Sequence, residues 1–134
     1  MYVFGAFSPV TGDHFMLYLP FCNSEMFELF LNEFSKLKKN ELNVIFLDNG
    51  AFHKTKKLII PDNIILIFLP PYSPELNGAE KVWWVLKREI NRCTFESLDD
   101  LENKLDEIIN KNITKPRISN LTSYKDFLAA YQTI

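Results

Sequence analysis

Apolar residues recur along this chain with two different periods, and the change between them marks out the elements. Tyr2–Phe7 and Phe15–Leu19 are short β-type runs on either side of the turn signal Thr11-Gly12-Asp13, a pattern that predicts an antiparallel hairpin. Phe27, Phe30, Leu31, Phe34 and Leu37 then recur at helical spacing, with Ser24 placed to cap, Glu25 in the first turn and Lys36, Lys38 and Lys39 in the last. This predicts an amphipathic helix over residues 24–39 whose aromatic side chains are core. Asn43–Asp48 and Ile64–Leu69 are compact β-branched runs, the second stopped by Pro70-Pro71, and residues 51–60 between them are expected to be helical. Strand, helix and strand in that order imply a right-handed crossover with parallel pairing. Further helices are expected over residues 78–92, with Val82, Leu86 and Ile90 on one face, and from a Ser97 cap to Asn112. Residues 113–120, which include Pro116, are expected to be a loop before a last short helix from Leu121 to Tyr131. The fold class expected is α/β: a mixed sheet with a hairpin, a parallel βαβ unit and flanking helices, in a single domain over residues 1–134.

Composition narrows this little but excludes several classes. A chain of 134 residues suits one domain with its own core, and 47% apolar and 14% aromatic residues describe a folded protein rather than a disordered one. No apolar run has the length of a membrane span, and the N-terminus has no charged region followed by an apolar stretch and cleavage site. A soluble, cytoplasmic protein is expected. Cys22 and Cys93 lack the spacing of a metal site and read as free thiols.

A net charge of −2 and a pI near 5.7 do not give the basic footprint of an autonomous DNA-binding domain. The charge is nonetheless uneven. Lys54, Lys56, Lys57, Lys81, Lys87, Arg88 and Arg92 cluster ahead of an acidic stretch formed by Glu96, Asp99, Asp100, Glu102, Asp106 and Glu107. The basic group can face a phosphate backbone or simply line solvated helix faces. The acidic stretch lacks the ligand order of an EF-hand and reads as a solvated helix face.

Two stretches carry the candidate chemistry. Val44-Ile45-Phe46-Leu47-Asp48-Asn49 is an apolar strand that ends in a carboxylate, and ligands of parallel sheets bind beyond the carboxyl ends of the strands. Asp48 there is either a metal ligand or a cap for whatever follows. The rigid stretch Leu69-Pro70-Pro71-Tyr72-Ser73-Pro74-Glu75-Leu76 leads to Asn77-Gly78-Ala79-Glu80, where Glu80 is either a second carboxylate or the partner in a capping box opened by Asn77. Paired carboxylates at a sheet edge suit Mg²⁺, a hard cation that takes a few oxygen ligands together with a phosphate. His53 is placed to contact a phosphate or to act as a hydrogen-bonded structural residue. Trp83 and Trp84 divide between core packing and partial exposure, with base stacking open to the exposed one.

The two acidic stretches, Leu47-Asp48-Asn49 with His53 and Leu69–Asn77 leading to Glu80, resemble the second and third acidic motifs of DDE transposases. The branch they resemble is that of bacterial insertion sequences within the mariner superfamily. Phe4-Gly5-Ala6-Phe7-Ser8-Pro9-Val10-Thr11-Gly12 resembles a hairpin of the same branch, so the likeness covers nearly the whole chain. It implies a ribonuclease H-like fold and DNA cleavage and joining that depend on Mg²⁺ or Mn²⁺. Asp48 and Glu80 would be the catalytic and metal-binding acids, and Asn49, His53 and Lys81 supporting residues.

Two departures qualify the likeness. Gly78 and Ala79 stand where the family has Pro and a β-branched residue. The family's first Asp lies on a strand before the hairpin, whereas this sequence opens within the hairpin, and Asp13 lies in its turn. The chain is therefore expected to be the C-terminal part of a transposase catalytic domain with its first strand missing, inactive or nearly so alone. The alternative is a non-catalytic module that dimerises or binds a full-length transposase. DNA, a second copy or a full-length transposase are the expected partners, with no membrane association and location at the nucleoid when on DNA.

Overall fold

A computed structural model describes residues 1–48, 58–69 and 78–122. Eight elements follow one another: β1 (Tyr2–Phe7), β2 (His14–Leu19), α1 (Ser24–Leu37), β3 (Asn43–Leu47), β4 (Ile64–Phe68), α2 (Ala79–Ile90), α3 (Leu98–Asn112) and α4 (Lys115–Thr122). This is a mixed α/β architecture with small sheets and four helices among the described residues. The chain forms two compact units, Met1–Ala6 with Phe15–Asn77 and Phe7–His14 with Gly78–Ile134.

The first unit is built on α1. The cap is Asn23 rather than Ser24: its backbone is extended and its side chain accepts a hydrogen bond from the Met26 amide at 2.9 Å. From there Phe27, Phe30 and Leu31 are buried together with Leu19, Leu47 and Ile64. The Phe30 ring lies 5.9 Å from Phe4 and 5.4 Å from Phe15, tilted in both cases, so the helix stripe meets both hairpin strands through aromatic contacts. Each such fully buried side chain contributes about 1.5–3 kcal/mol.

β3 and β4 pair in parallel with Asn43 opposite Ile64 and Leu47 opposite Phe68. The register is pinned at the start by Asn63. Its carbonyl accepts from the Asn43 amide at 2.8 Å, and its side chain donates to the Ser35 and Lys38 carbonyls at 3.2 Å each. The Leu69 amide donates to the Leu47 carbonyl at 2.8 Å and holds the other end. Alternation then divides the side chains: Ile45, Leu47, Ile64, Leu66 and Phe68 join the core, while Val44, Phe46, Ile65 and Ile67 remain exposed. Parallel sheets normally have both faces covered. Here one face is bare. The hairpin sheet and the β3–β4 sheet stay separate, each two-stranded among the described residues.

Among its described residues the second unit contains the hairpin turn and three helices. Gly12 takes φ +77°, and a Cβ there would come within 2.1 Å of the Lys115 carbonyl oxygen, so only glycine suits both the turn and this approach. The Ser119 hydroxyl donates to the Pro9 carbonyl at 2.7 Å, and Lys115 pairs with Asp13 at 3.1 Å. α3 begins as expected, with Ser97 accepting from the Asp100 amide at 3.1 Å.

Two further expectations are corrected. Residues 115–122 form a helix rather than a loop, because Pro116 stands in its first turn, where a missing N–H costs nothing. Thr114 opens that helix, its carbonyl accepting from the Ile118 amide at 2.9 Å. Residues 58–60 are not helical: Ile59 donates its amide to the Glu28 side chain of α1 instead. The rest of the helix expected at 51–60, the proline-rich stretch 70–77 and residues 123–131 lie outside the described residues.

Candidate active site

Asp48 follows β3 directly. Its neighbour Leu47 is buried and paired with Phe68, so the carboxylate stands at the carboxyl edge of the parallel pair, on the exposed side of a fixed backbone. That is where a side chain can reach a ligand without disturbing the sheet.

Glu80 is exposed in the first turn of α2. The helix runs from Ala79, and Gly78 before it has helical backbone angles, φ −59° and ψ −24°, and makes no side-chain hydrogen bond. Asn77 lies outside the described residues, and so does the capping-box reading of Glu80. Its carboxylate near the helix N-terminus remains favoured by the dipole. α2 is anchored by Val82, Val85 and Leu86, which are 0%, 1% and 5% exposed, and by Trp83, whose ring meets Phe7 edge-on at 5.4 Å. Gly78 has a packing reason as well: a Cβ there would lie 2.7 Å from the Thr122 carbonyl oxygen. The small residue that departs from the motif thus lets α4 approach the start of the helix that carries Glu80.

Lys81 is exposed beside Glu80, and its amide donates to the Gly78 carbonyl at 3.2 Å. Asn49 and His53 lie outside the described residues. Asp48 belongs to the first compact unit, and Glu80 and Lys81 to the second. Both cysteines are free, as expected. Among the described residues, no group of three or more His, Cys, Asp or Glu side chains could hold a metal ion, and no helix is long and apolar enough to cross a membrane.

Two features escaped the sequence reading. One is the packing role of Gly78. The other is the contact of Arg88 with Trp84, 4.8 Å from guanidinium carbon to ring centroid. An Arg four residues after a Trp on a helix was the available signal.

Comparison with known proteins supplies the rest. The Sinorhizobium fredii (strain NBRC 101917 / NGR234) protein y4pE/y4sA, itself uncharacterized, is 37% identical over 117 residues, covering 86% of this chain and 87% of that one. No solved structure matches. The family model of the DDE superfamily endonucleases matches residues 1–102, from the hairpin through both acidic stretches and into α3. The chain belongs to the DDE superfamily endonuclease family.

Proposed function

We propose that residues 1–134 are part of a ribonuclease H-like transposase catalytic domain of the insertion-sequence branch of the mariner superfamily, acting on DNA by cleavage and strand transfer. Asp48 and Glu80 are its second and third acids. The observation that carries this reading is Asp48 at the carboxyl edge of a parallel strand pair, within a stretch that matches an endonuclease family.

Two carboxylates are donors of the kind Mg²⁺ and Mn²⁺ take, and they fit such an ion in type. Asp48 and Glu80 would hold it. A divalent ion supplies activation of water or a 3′-hydroxyl and stabilisation of the leaving oxygen. The chain's own part is to fix the carboxylates: Asp48 by the β3–β4 register, Glu80 by the buried side of α2. Lys81 lies beside Glu80, where a phosphate would be neutralised, and Asn49 and His53 support the Asp48 side. The same reading takes the chain to be inactive or nearly so by itself.

The reading requires the two carboxylates to lie within about 10 Å of each other. Mn²⁺ titration should show weak binding that Asp48→Ala abolishes and Glu80→Gln weakens. Tight binding that ignores both changes would remove the assignment, and metal-dependent nicking of DNA by the purified chain would overturn its inactivity.

A second reading is supported by the separate sheets and the bare β3–β4 face. In it the chain is a non-catalytic module that pairs with a second copy or with a full-length transposase.

A further inference from the structure

Trp84 is 61% exposed on a helix whose opposite side is almost fully buried. Its neighbour Trp83 is packed edge-on against Phe7, so the two indoles have different surroundings. Glu80, Trp84 and Arg88 are four residues apart in turn and form one row along α2. At the helical rise, Trp84 lies about 6 Å and Arg88 about 12 Å beyond Glu80 along the axis. The Arg88 guanidinium is held over the indole, 4.8 Å from its centroid. Its Nη2 reaches Glu89 only at 3.4 Å, and its Nε is buried with no hydrogen-bond partner among the described residues. The buried Nε cannot reach a ligand, but the side chain is 38% exposed, so the terminal nitrogens keep donor capacity while the plane is oriented. Lys81 and Lys87 are exposed on the same helix.

We infer that this face of α2 is a docking surface for a DNA strand with an unpaired base: Trp84 stacks on the base, and Arg88 donates to a phosphate beside it. The choice of DNA rests on the function proposed above. The remainder is carried by the surface itself. A mostly exposed indole with an oriented guanidinium over its ring offers a stacking surface and a phosphate donor side by side. A base inside an intact duplex already has neighbours on both faces, so the surface selects single-stranded or frayed DNA. The row begins at Glu80, which places the unpaired base one helical turn from the candidate carboxylate.

The test uses the full chain in EDTA at low salt, so that no metal site is involved. Anisotropy of a labelled oligothymidylate and of a blunt duplex of equal length reads affinity, while tryptophan fluorescence reads stacking. The single strand is expected to quench fluorescence, and the quench to vanish in Trp84→Phe, which retains only the Trp83 signal. Trp84→Ala should weaken single-strand binding about tenfold without changing duplex binding, with Trp84→Phe restoring most of it. Arg88→Ala should weaken binding and flatten its salt dependence. Quenching that persists in Trp84→Phe, equal effects on single strand and duplex, or no binding of either would each overturn the inference. If Mn²⁺ binding fails to involve Asp48 while the quench is lost with Trp84, the proposed catalytic site falls and this surface stands. The reverse pair of results removes the surface alone.

Discussion

The hairpin turn with α2–α4 and the sheets with α1 are built from the same chain but finished to different degrees. In the helical unit the close approaches are complementary: Gly12 admits the Lys115 backbone, Gly78 admits Thr122, and Ser119 satisfies the Pro9 carbonyl. In the sheet unit the core is aromatic, built on Phe27 and Phe30, yet among the described residues two two-stranded sheets do not join, and Val44, Phe46, Ile65 and Ile67 stay 41–49% exposed. Neither a two-stranded sheet nor a bare parallel face is stable by ordinary standards. The difference teaches that, among the described residues, the exposed apolar surface is concentrated on the sheet unit rather than the helical one.

The change expected to do most harm breaks the finished unit. Gly12→Ala combines a left-handed backbone with a Cβ 2.1 Å from the Lys115 carbonyl oxygen. It should cost about 3–5 kcal/mol. Amide exchange should accelerate in the turn and α4 while the amides around Leu31 keep their protection. If both regions lose protection together, the two units are one cooperative block and the comparison fails.

The second change sharpens the comparison from the other side. Static light scattering at micromolar concentration should show self-association, and Phe46→Lys or Ile67→Glu should weaken it at least about tenfold, or about 1.4 kcal/mol. Both side chains are exposed, so thermal stability of the isolated chain should hardly change. A stable monomer that ignores these substitutions would mean the bare face needs no cover.

These contrasts also show what sequence could and could not reveal. Strands, α1, α2 and α3 were legible because periodicity and turn chemistry are local: the Phe27–Phe30–Leu31 stripe and the Ser97 cap decide their own structure. The cap moved from Ser24 to Asn23 because two adjacent residues can both cap, and Asn23 is the one with extended backbone and the Met26 amide in reach. α4 was missed because Pro116 reads as a breaker unless its place in the first turn is known. Asp48 was legible as a strand end. The role of Glu80 was not, since a helix start near Gly78 suits a capping partner and an uncommitted carboxylate alike.

A matched pair of cap deletions asks whether the difference is local or lies in the sheets. Asn23→Ala in the sheet unit and Ser97→Ala in the helical unit each remove one side-chain acceptor, at 2.9 and 3.1 Å from the amide served. Each should cost about 1 kcal/mol by chemical denaturation. Equal costs would locate the deficit of the sheet unit in its unpaired strands. A much larger cost at Asn23 would instead show α1 itself to be marginal.

The smallest effect belongs to the ion pair that ties Lys115 to Asp13. The contact is short, 3.1 Å, but the side chains are 72% and 37% exposed, so water and salt screen it. The same backbone segment is already held by the fit of Gly12 and by the Ser119 hydroxyl, neither of which depends on the charge. Lys115→Met keeps the aliphatic stem and removes only the ammonium group. It should lower stability by no more than about 0.5–1 kcal/mol at low salt and by less in 0.5 M NaCl, read as the shift in denaturation midpoint. If this change costs as much as Gly12→Ala, the turn is held by charge rather than by close packing, and complementarity of shape is the wrong account of what finishes the helical unit.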